Sequence, residues 1–200
     1  MPRILPTLPR SFVAWPLLGA VLFGLGGCAT TAGPSSRAER AEQCYRHGPM
    51  RTCVPAQRAS EAKRAVVHAL ASPPANVARL VVVRNSMGDF HRHAHLLLDG
   101  RPTQELIPCS SVGVDVAPGP HRLLVVPAAA SPPLMLKLAP GTLTVIHVSR
   151  VVGQQGGAGQ GFELKPLSRA QALPMVQECQ VLGLIDHTRP AGPEAAAAER

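Results

Sequence analysis

The sequence predicts a mainly β fold: a small β-sandwich flanked by a short N-terminal helix and a short C-terminal helix. Three observations carry that expectation. From about residue 78 onward, short apolar stretches rich in Val and Leu recur at regular spacing, as in a sandwich or partial barrel. Turn clusters separate them, namely Asp99-Gly100, Pro118-Gly119-Pro120, Ser131-Pro132-Pro133 and Pro140-Gly141, whose Gly and Pro supply the dihedrals of tight turns. The 21 Pro and 18 Gly among 200 residues count against a mostly helical chain, because both penalise helix interiors. A charged fraction of 16 % beside 46 % hydrophobic residues excludes a wholly disordered chain.

At the N-terminus, Met1 to Arg10 carries Arg3 and Arg10 and no acid, and Ser11 to Gly27 carries no charge. A basic start followed by a short apolar core is the layout of a secretory signal. Pro16 and four glycines weaken the competing reading of this stretch as a membrane-spanning anchor helix. Leu25-Gly26-Gly27-Cys28 then resembles the bacterial lipobox, a Leu two small residues ahead of a cysteine. The resemblance implies removal of residues 1–27, a thioether-linked diacylglycerol on Cys28 and an acyl chain on its new amino group. Three buried chains, at about 0.8 kcal/mol per CH₂, hold a protein far more firmly than one. Ala29 rather than Asp follows Cys28, which resembles the outer-membrane default of Gram-negative lipoproteins and places the protein on the periplasmic side. Loss of the leader leaves 18 basic and 12 acidic residues, a charge of +6, and only Tyr45, Phe90 and Phe162 as aromatics.

With Cys28 acylated, four cysteines remain, Cys44, Cys53, Cys109 and Cys179. An even number in an oxidising compartment suggests two disulfides, with three possible connectivities. Cys44 and Cys53 close a short loop around Gly48-Pro49 and are paired on that ground, which leaves Cys109 with Cys179. Free thiols are the alternative. A metal site built from all four lacks any C-x-x-C spacing.

Element by element, residues 28–56 read as a lipidated tether with the short disulfide loop. Residues 57–72 read as a helix, with Ala59, Ala62, Val66 and Leu70 near helical spacing, stopped by Ser72-Pro73-Pro74. The β domain with its C-terminal helix spans 77–183. Its strands are expected near 79–84, 90–98, 103–107, 111–116, 121–126, 134–138, 142–149 and 161–165. The run Val81-Val82-Val83 suits a central strand. Ser168 and Gln171 form a capping box that opens a short helix, interrupted or restarted at Pro174. Residues 184–200 read as a disordered tail. The order of Leu97-Leu98-Asp99-Gly100, Val116-Ala117-Pro118-Gly119-Pro120-His121 and Leu138-Ala139-Pro140-Gly141-Thr142 behind a lipobox resembles a family of uncharacterised bacterial envelope lipoproteins. Their domain is similar to small PEGA-type sandwiches, in the manner of Ig and prealbumin folds. The resemblance covers about residues 77–180 and implies no activity.

The conspicuous chemical pattern is His91, His93 and His95. Side chains at i, i+2 and i+4 share one face of a strand, so these three form a row, and two of its imidazoles can converge on Zn²⁺ or Cu²⁺. The plainer reading is the solvent face of a strand whose Ala94, Leu96 and Leu98 face the core. Ser110, Asp115 and His121 have the identities of a hydrolase triad but no nucleophile-elbow pattern. Three aromatics cannot build a nucleic-acid or glycan stacking platform, and no nucleic-acid partner is expected. The sequence therefore points to a non-enzymatic, outer-membrane-anchored periplasmic lipoprotein. Its partners would be the membrane, through the lipid, and another envelope protein, with no cofactor beyond the lipid. The alternative is a periplasmic Zn/Cu-binding protein that uses the His row.

Overall fold

In the computed structural model, residues 41–56, 59–86, 92–126, 132–151 and 161–189 are described. The leader 1–27, Cys28, His91 and the end of the expected tail lie outside them. Among these residues, eleven strands and two helices follow in chain order. They are β1 (Ala41–His47), β2 (Met50–Ala56), α1 (Glu61–His68), β3 (Ala78–Arg84), β4 (Ala94–Leu98), β5 (Arg101–Leu106) and β6 (Ser110–Val116). Then come β7 (Gly119–Val126), β8 (Leu134–Leu138), β9 (Leu143–Val151), β10 (Gly161–Leu167), α2 (Arg169–Glu178) and β11 (Gln180–His187). They build a five-stranded sheet in the order β10-β9-β3-β6-β11, a four-stranded sheet in the order β5-β4-β7-β8, and the separate hairpin β1-β2. The fold is mainly β, as expected, with the two sheets packed as a sandwich and both helices short.

Strand β3 occupies the middle of the larger sheet, and all seven of its residues are buried. Alternation along the strand divides them between two cores. Ala78, Leu80 and Val82 pack with Leu96, Leu98, Leu123, Val125 and Leu138 of the smaller sheet. Val81 and Val83 pack with Val67 and Leu70 of the α1 region and with Ala172 and Val176 of α2. A strand covered on both faces reads as a continuous apolar run rather than an alternating one, which is the origin of the Val81-Val82-Val83 signature.

The polar residues at its ends follow the same parity. Arg79, on the helix side, donates from Nε and Nη2 to Asp115 of β6 at 2.6 and 2.8 Å, and from Nη1 to the Ala71 carbonyl at 3.0 Å. Arg79 and Asp115 are directly opposite in the β3–β6 register. Arg84, on the sandwich side, donates to the carbonyls of Arg92 and Leu106 at 2.6 and 2.9 Å and lies 5.1 Å from the centre of the Phe162 ring.

Helix α1 is shorter than the expected 57–72. Ser60 caps it by accepting the Lys63 N–H, and Leu70 takes a left-handed φ of 47° just past its end. Val67 rather than Val66 is buried in the core, and Ala62 is exposed. In α2 the expected Ser168–Gln171 capping box is present, and the helix runs through Pro174 without interruption. A proline there forfeits a single backbone donor, while the cap and buried Ala172 and Val176 on either side hold the helix. At about 1.5 Å per residue α2 is roughly 15 Å long, most of the roughly 19 Å between the outer strands of a five-stranded sheet at about 4.8 Å spacing. It carries the chain across the sheet face from the β10 edge to the β11 edge.

Further boundaries differ from the sequence reading: Arg92 and His93, inside the strand expected at 90–98, precede β4, which begins at Ala94. The segment expected as tether and loop contains a regular hairpin at 41–56, with Cys44 opposite Cys53 and Gly48 in the turn at a φ of 57°. The boundary expected at 183 falls inside β11, which pairs parallel with β6 as far as His187. Its Val181, Leu182 and Ile185 are buried, and that burial holds 184–187 in the sheet.

At Gly113, an added Cβ would lie 2.7 Å from Leu184 Cδ1 and 2.8 Å from Val67 Cγ2, so the missing side chain lets α1 sit close on β6 and β11. Gly113→Val is expected to lower unfolding free energy by about 1–3 kcal/mol through overpacking. The check is a fall in the urea midpoint with an unchanged m-value.

Candidate functional site

Strand β4 turns Ala94, Leu96 and Leu98 into the core at 0–2 % exposure, so His93 and His95 stand on the opposite face. The parity is that of the amphipathic strand read from the sequence. The two rings are 6.3 Å apart, centre to centre. Between them comes a residue that the sequence reading missed, Glu105 of β5. Its Oε2 is 3.0 Å from His93 Nδ1 and its Oε1 is 3.1 Å from His95 Nδ1.

The turn at Asp99-Gly100 starts the β4–β5 hairpin with Leu98 opposite Arg101. A register shift between His95 and Leu97 then sets His95 against Glu105. A plain two-residue hairpin would have placed Gln104 there. In the neutral ring an Nδ1–H directed at the carboxylate leaves Nε2 of His93 as an acceptor, and the Thr52 hydroxyl of β2 lies 3.2 Å from that nitrogen.

This cluster offers two imidazoles and one carboxylate, ligand types that suit zinc or copper. Among the described residues, however, the group of three such side chains whose ligand atoms lie within 4.8 Å of one another is Glu42, Cys44 and Cys53. The sulfurs of that group are joined as a disulfide. Each histidine meets its own oxygen of Glu105, so side-chain rotation would be needed before both rings and the carboxylate met on one ion.

The remaining candidates are engaged structurally. His121 Nδ1 is 2.7 Å from Asp99 Oδ2, and its Nε2 is 2.7 Å from the Ala117 carbonyl. The Arg122 N–H donates to Asp99 Oδ1 at 2.8 Å. Two of the turn motifs picked out in the sequence, Leu-Leu-Asp-Gly and Pro-Gly-Pro-His, thus meet in a carboxylate–imidazole clamp. Asp99 and Gly100 both take positive φ, 54° and 78°, as the two central residues of a type I′ hairpin turn do.

Ser110 Oγ donates to the Ile107 carbonyl at 2.6 Å, Asp115 is held by Arg79 and His121 by Asp99. The three do not form a triad. Both disulfides expected from the sequence are present, Cys44–Cys53 and Cys109–Cys179. Cys28 and His91 lie outside the described residues. Among the described residues, no helix is long and apolar enough to cross a membrane. The chain matches no protein-family model, no curated protein and no solved structure.

Two histidines away from the cluster have lowered pKa values. Burial is the main cause at His147, assisted by Lys165, and its Nε2 lies 2.8 Å from Asn85 Oδ1. Burial is also the main cause at His187, assisted by Arg101. Each folded-state value lies below the ordinary 6.5, so in acid the unfolded chain binds more protons than the native one. Their contribution to stability is full above the ordinary value and is lost as pH falls through the depressed values. Urea midpoints are expected to drop between pH 7.5 and pH 5. The drop should be smaller in the His147→Gln/His187→Gln double variant, and an equal drop in both proteins would remove these two groups as the cause.

Proposed function

We propose that this chain is a lipoprotein anchored in the outer membrane through Cys28 and facing the periplasm. Its sandwich would act as a non-catalytic binding or structural module, similar to the PEGA-type domains of envelope lipoproteins. The observation that supports this reading most is the pairing of cysteines. All four that follow Cys28 are matched with one another, and the fifth is the cysteine of Leu25-Gly26-Gly27-Cys28. Two disulfides in one small domain fit an oxidising compartment, and a lipobox cysteine needs no sulfur partner. The charge of +6 expected after leader removal would suit a surface that lies near anionic envelope components. Exposed loops or a sheet edge would recruit another envelope protein.

The decisive experiment compares the parent with Cys28→Ser. The parent is expected to fractionate with membranes and to carry a triacylated Cys28 as its first residue by mass spectrometry. The variant should be unlipidated and released. Firm membrane retention of Cys28→Ser, or native protein with a bare sulfur and the leader attached, would refute the reading.

A second reading draws support from Glu105. The histidine row lacked a nearby acid in the sequence, and β5 supplies one to His93 and His95. On this reading the cluster binds Zn²⁺ or Cu²⁺ after the side chains rotate, with imidazole nitrogens and the carboxylate as ligands. Zinc titration of the parent is expected to give stoichiometric binding. The His93→Ala/His95→Ala variant should lose at least about tenfold in affinity, as removal of first ligands does when even supporting residues cost 10–100-fold. Equal affinity in parent and variant would dismiss the metal reading and leave the lipoprotein reading untouched.

A further inference from the structure

The β1–β2 hairpin presents different chemistry on its two faces. Gln43, Tyr45, Thr52 and Val54 alternate onto one of them. Val54 is fully buried, Tyr45 packs against the sandwich core, and Thr52 reaches His93. The opposite face carries Glu42, Cys44 and Arg46 from β1 and Arg51 and Cys53 from β2. Glu42, Arg46 and Arg51 are exposed, and both cysteines are half-buried. On that face Arg51 Nη2 lies 2.9 Å from Cys44 Sγ, and a carboxylate oxygen of Glu42 lies within 4.8 Å of both sulfurs. In the other disulfide one sulfur is shielded, since Cys179 is only 3 % exposed, while Cys109 is half-buried.

We propose that Cys44–Cys53 is a site of thiol–disulfide exchange with an anionic low-molecular-weight thiol of the glutathione class, and that Arg51 selects Cys44 as the leaving sulfur. Exchange is displacement at sulfur by a thiolate, and it accelerates when the departing sulfur carries its negative charge easily. A neighbouring guanidinium supplies that stabilisation. The incoming thiolate attacks Cys53 Sγ and forms a new S–S bond there. The Cys44–Cys53 bond breaks, and its electron pair passes to Cys44 Sγ, against the Arg51 guanidinium.

A second thiolate attacks the external sulfur of the mixed disulfide and releases Cys53 as a thiolate. Two external thiols are thereby oxidised to one disulfide by two electrons, the protein pair is reduced by the same two, and solvent protonates the cysteines. Arg46 and Arg51 are register partners and give this face two guanidinium groups against the one carboxylate of Glu42. The local balance favours approach of an anionic thiol. Glu42 opposes it, more weakly than Arg51 assists, because the guanidinium is in direct contact with the sulfur. The inference does not depend on the membrane anchor.

The test exposes the oxidised full chain to millimolar glutathione, quenches with acid, alkylates, and follows each disulfide by peptide mapping. Cys44–Cys53 is expected to open at least about tenfold faster than Cys109–Cys179, with the glutathione adduct on Cys53. Arg51→Gln should slow that bond about three- to tenfold and leave Cys109–Cys179 unchanged, while Arg51→Lys should keep most of the rate. Glu42→Gln, which leaves Arg51 in place, should accelerate opening. Equal opening of the two bonds, an adduct on Cys44, full speed in Arg51→Gln or slower exchange in Glu42→Gln would each overturn the proposal.

Discussion

Burial of β3 on both of its faces is the constraint around which the domain is arranged. Its Leu80, Val81, Val82 and Val83 are wholly removed from solvent, each worth about 1.5–3 kcal/mol of burial. No single neighbouring layer could achieve this. The smaller sheet must cover one side and the two helices the other, so each layer is anchored by the same seven residues. The hydrogen-bonding capacity of the strand is likewise taken up laterally, by antiparallel β6 on one side and parallel β9 on the other. Arg79 and Arg84 close the two ends with polar contacts directed to opposite faces, the first paired with Asp115 and the second donating to two backbone carbonyls, so both buried guanidinium groups have acceptors.

Most of that arrangement can be read in the sequence where local chemistry and tertiary context agree. The valine run marks β3, and Asp99-Gly100 and Pro118-Gly119-Pro120 fall at strand ends. The Ser168–Gln171 box opens α2 as its side chains require. The hairpin β1–β2 was hidden because Glu-Gln-Cys-Tyr-Arg has little β-branched or apolar character. Its strands are stabilised by the cross-link and by one face resting on the sandwich. Strand β11 was hidden by the register irregularity between Val181 and Gly183 and by the Pro- and Gly-bearing sequence that follows.

The histidine cluster shows the same division. Alternation placed His93 and His95 on one face from sequence alone. Glu105 joins them only because of a one-residue shift in pairing, and no local residue preference announces that shift. The Asp99–His121 clamp was half visible. Both motifs stood out as turn signatures, but their contact depends on β4 and β7 being neighbours in the smaller sheet. Identity and spacing therefore reveal which face a side chain occupies. Which partner it meets is settled by long-range pairing.

Strand β11 is the last described element, and it pairs parallel with β6, a strand laid down some seventy residues earlier. Cys109 and Cys179, at the heads of these two strands, span the same interval. The larger sheet cannot be completed until synthesis has passed residue 187. Up to that moment β6 is a terminal strand with open backbone groups and a valine-rich surface, the kind of rim that invites intermolecular pairing. A chain cut short before β11 would thus be an aggregation hazard rather than a smaller version of the same domain.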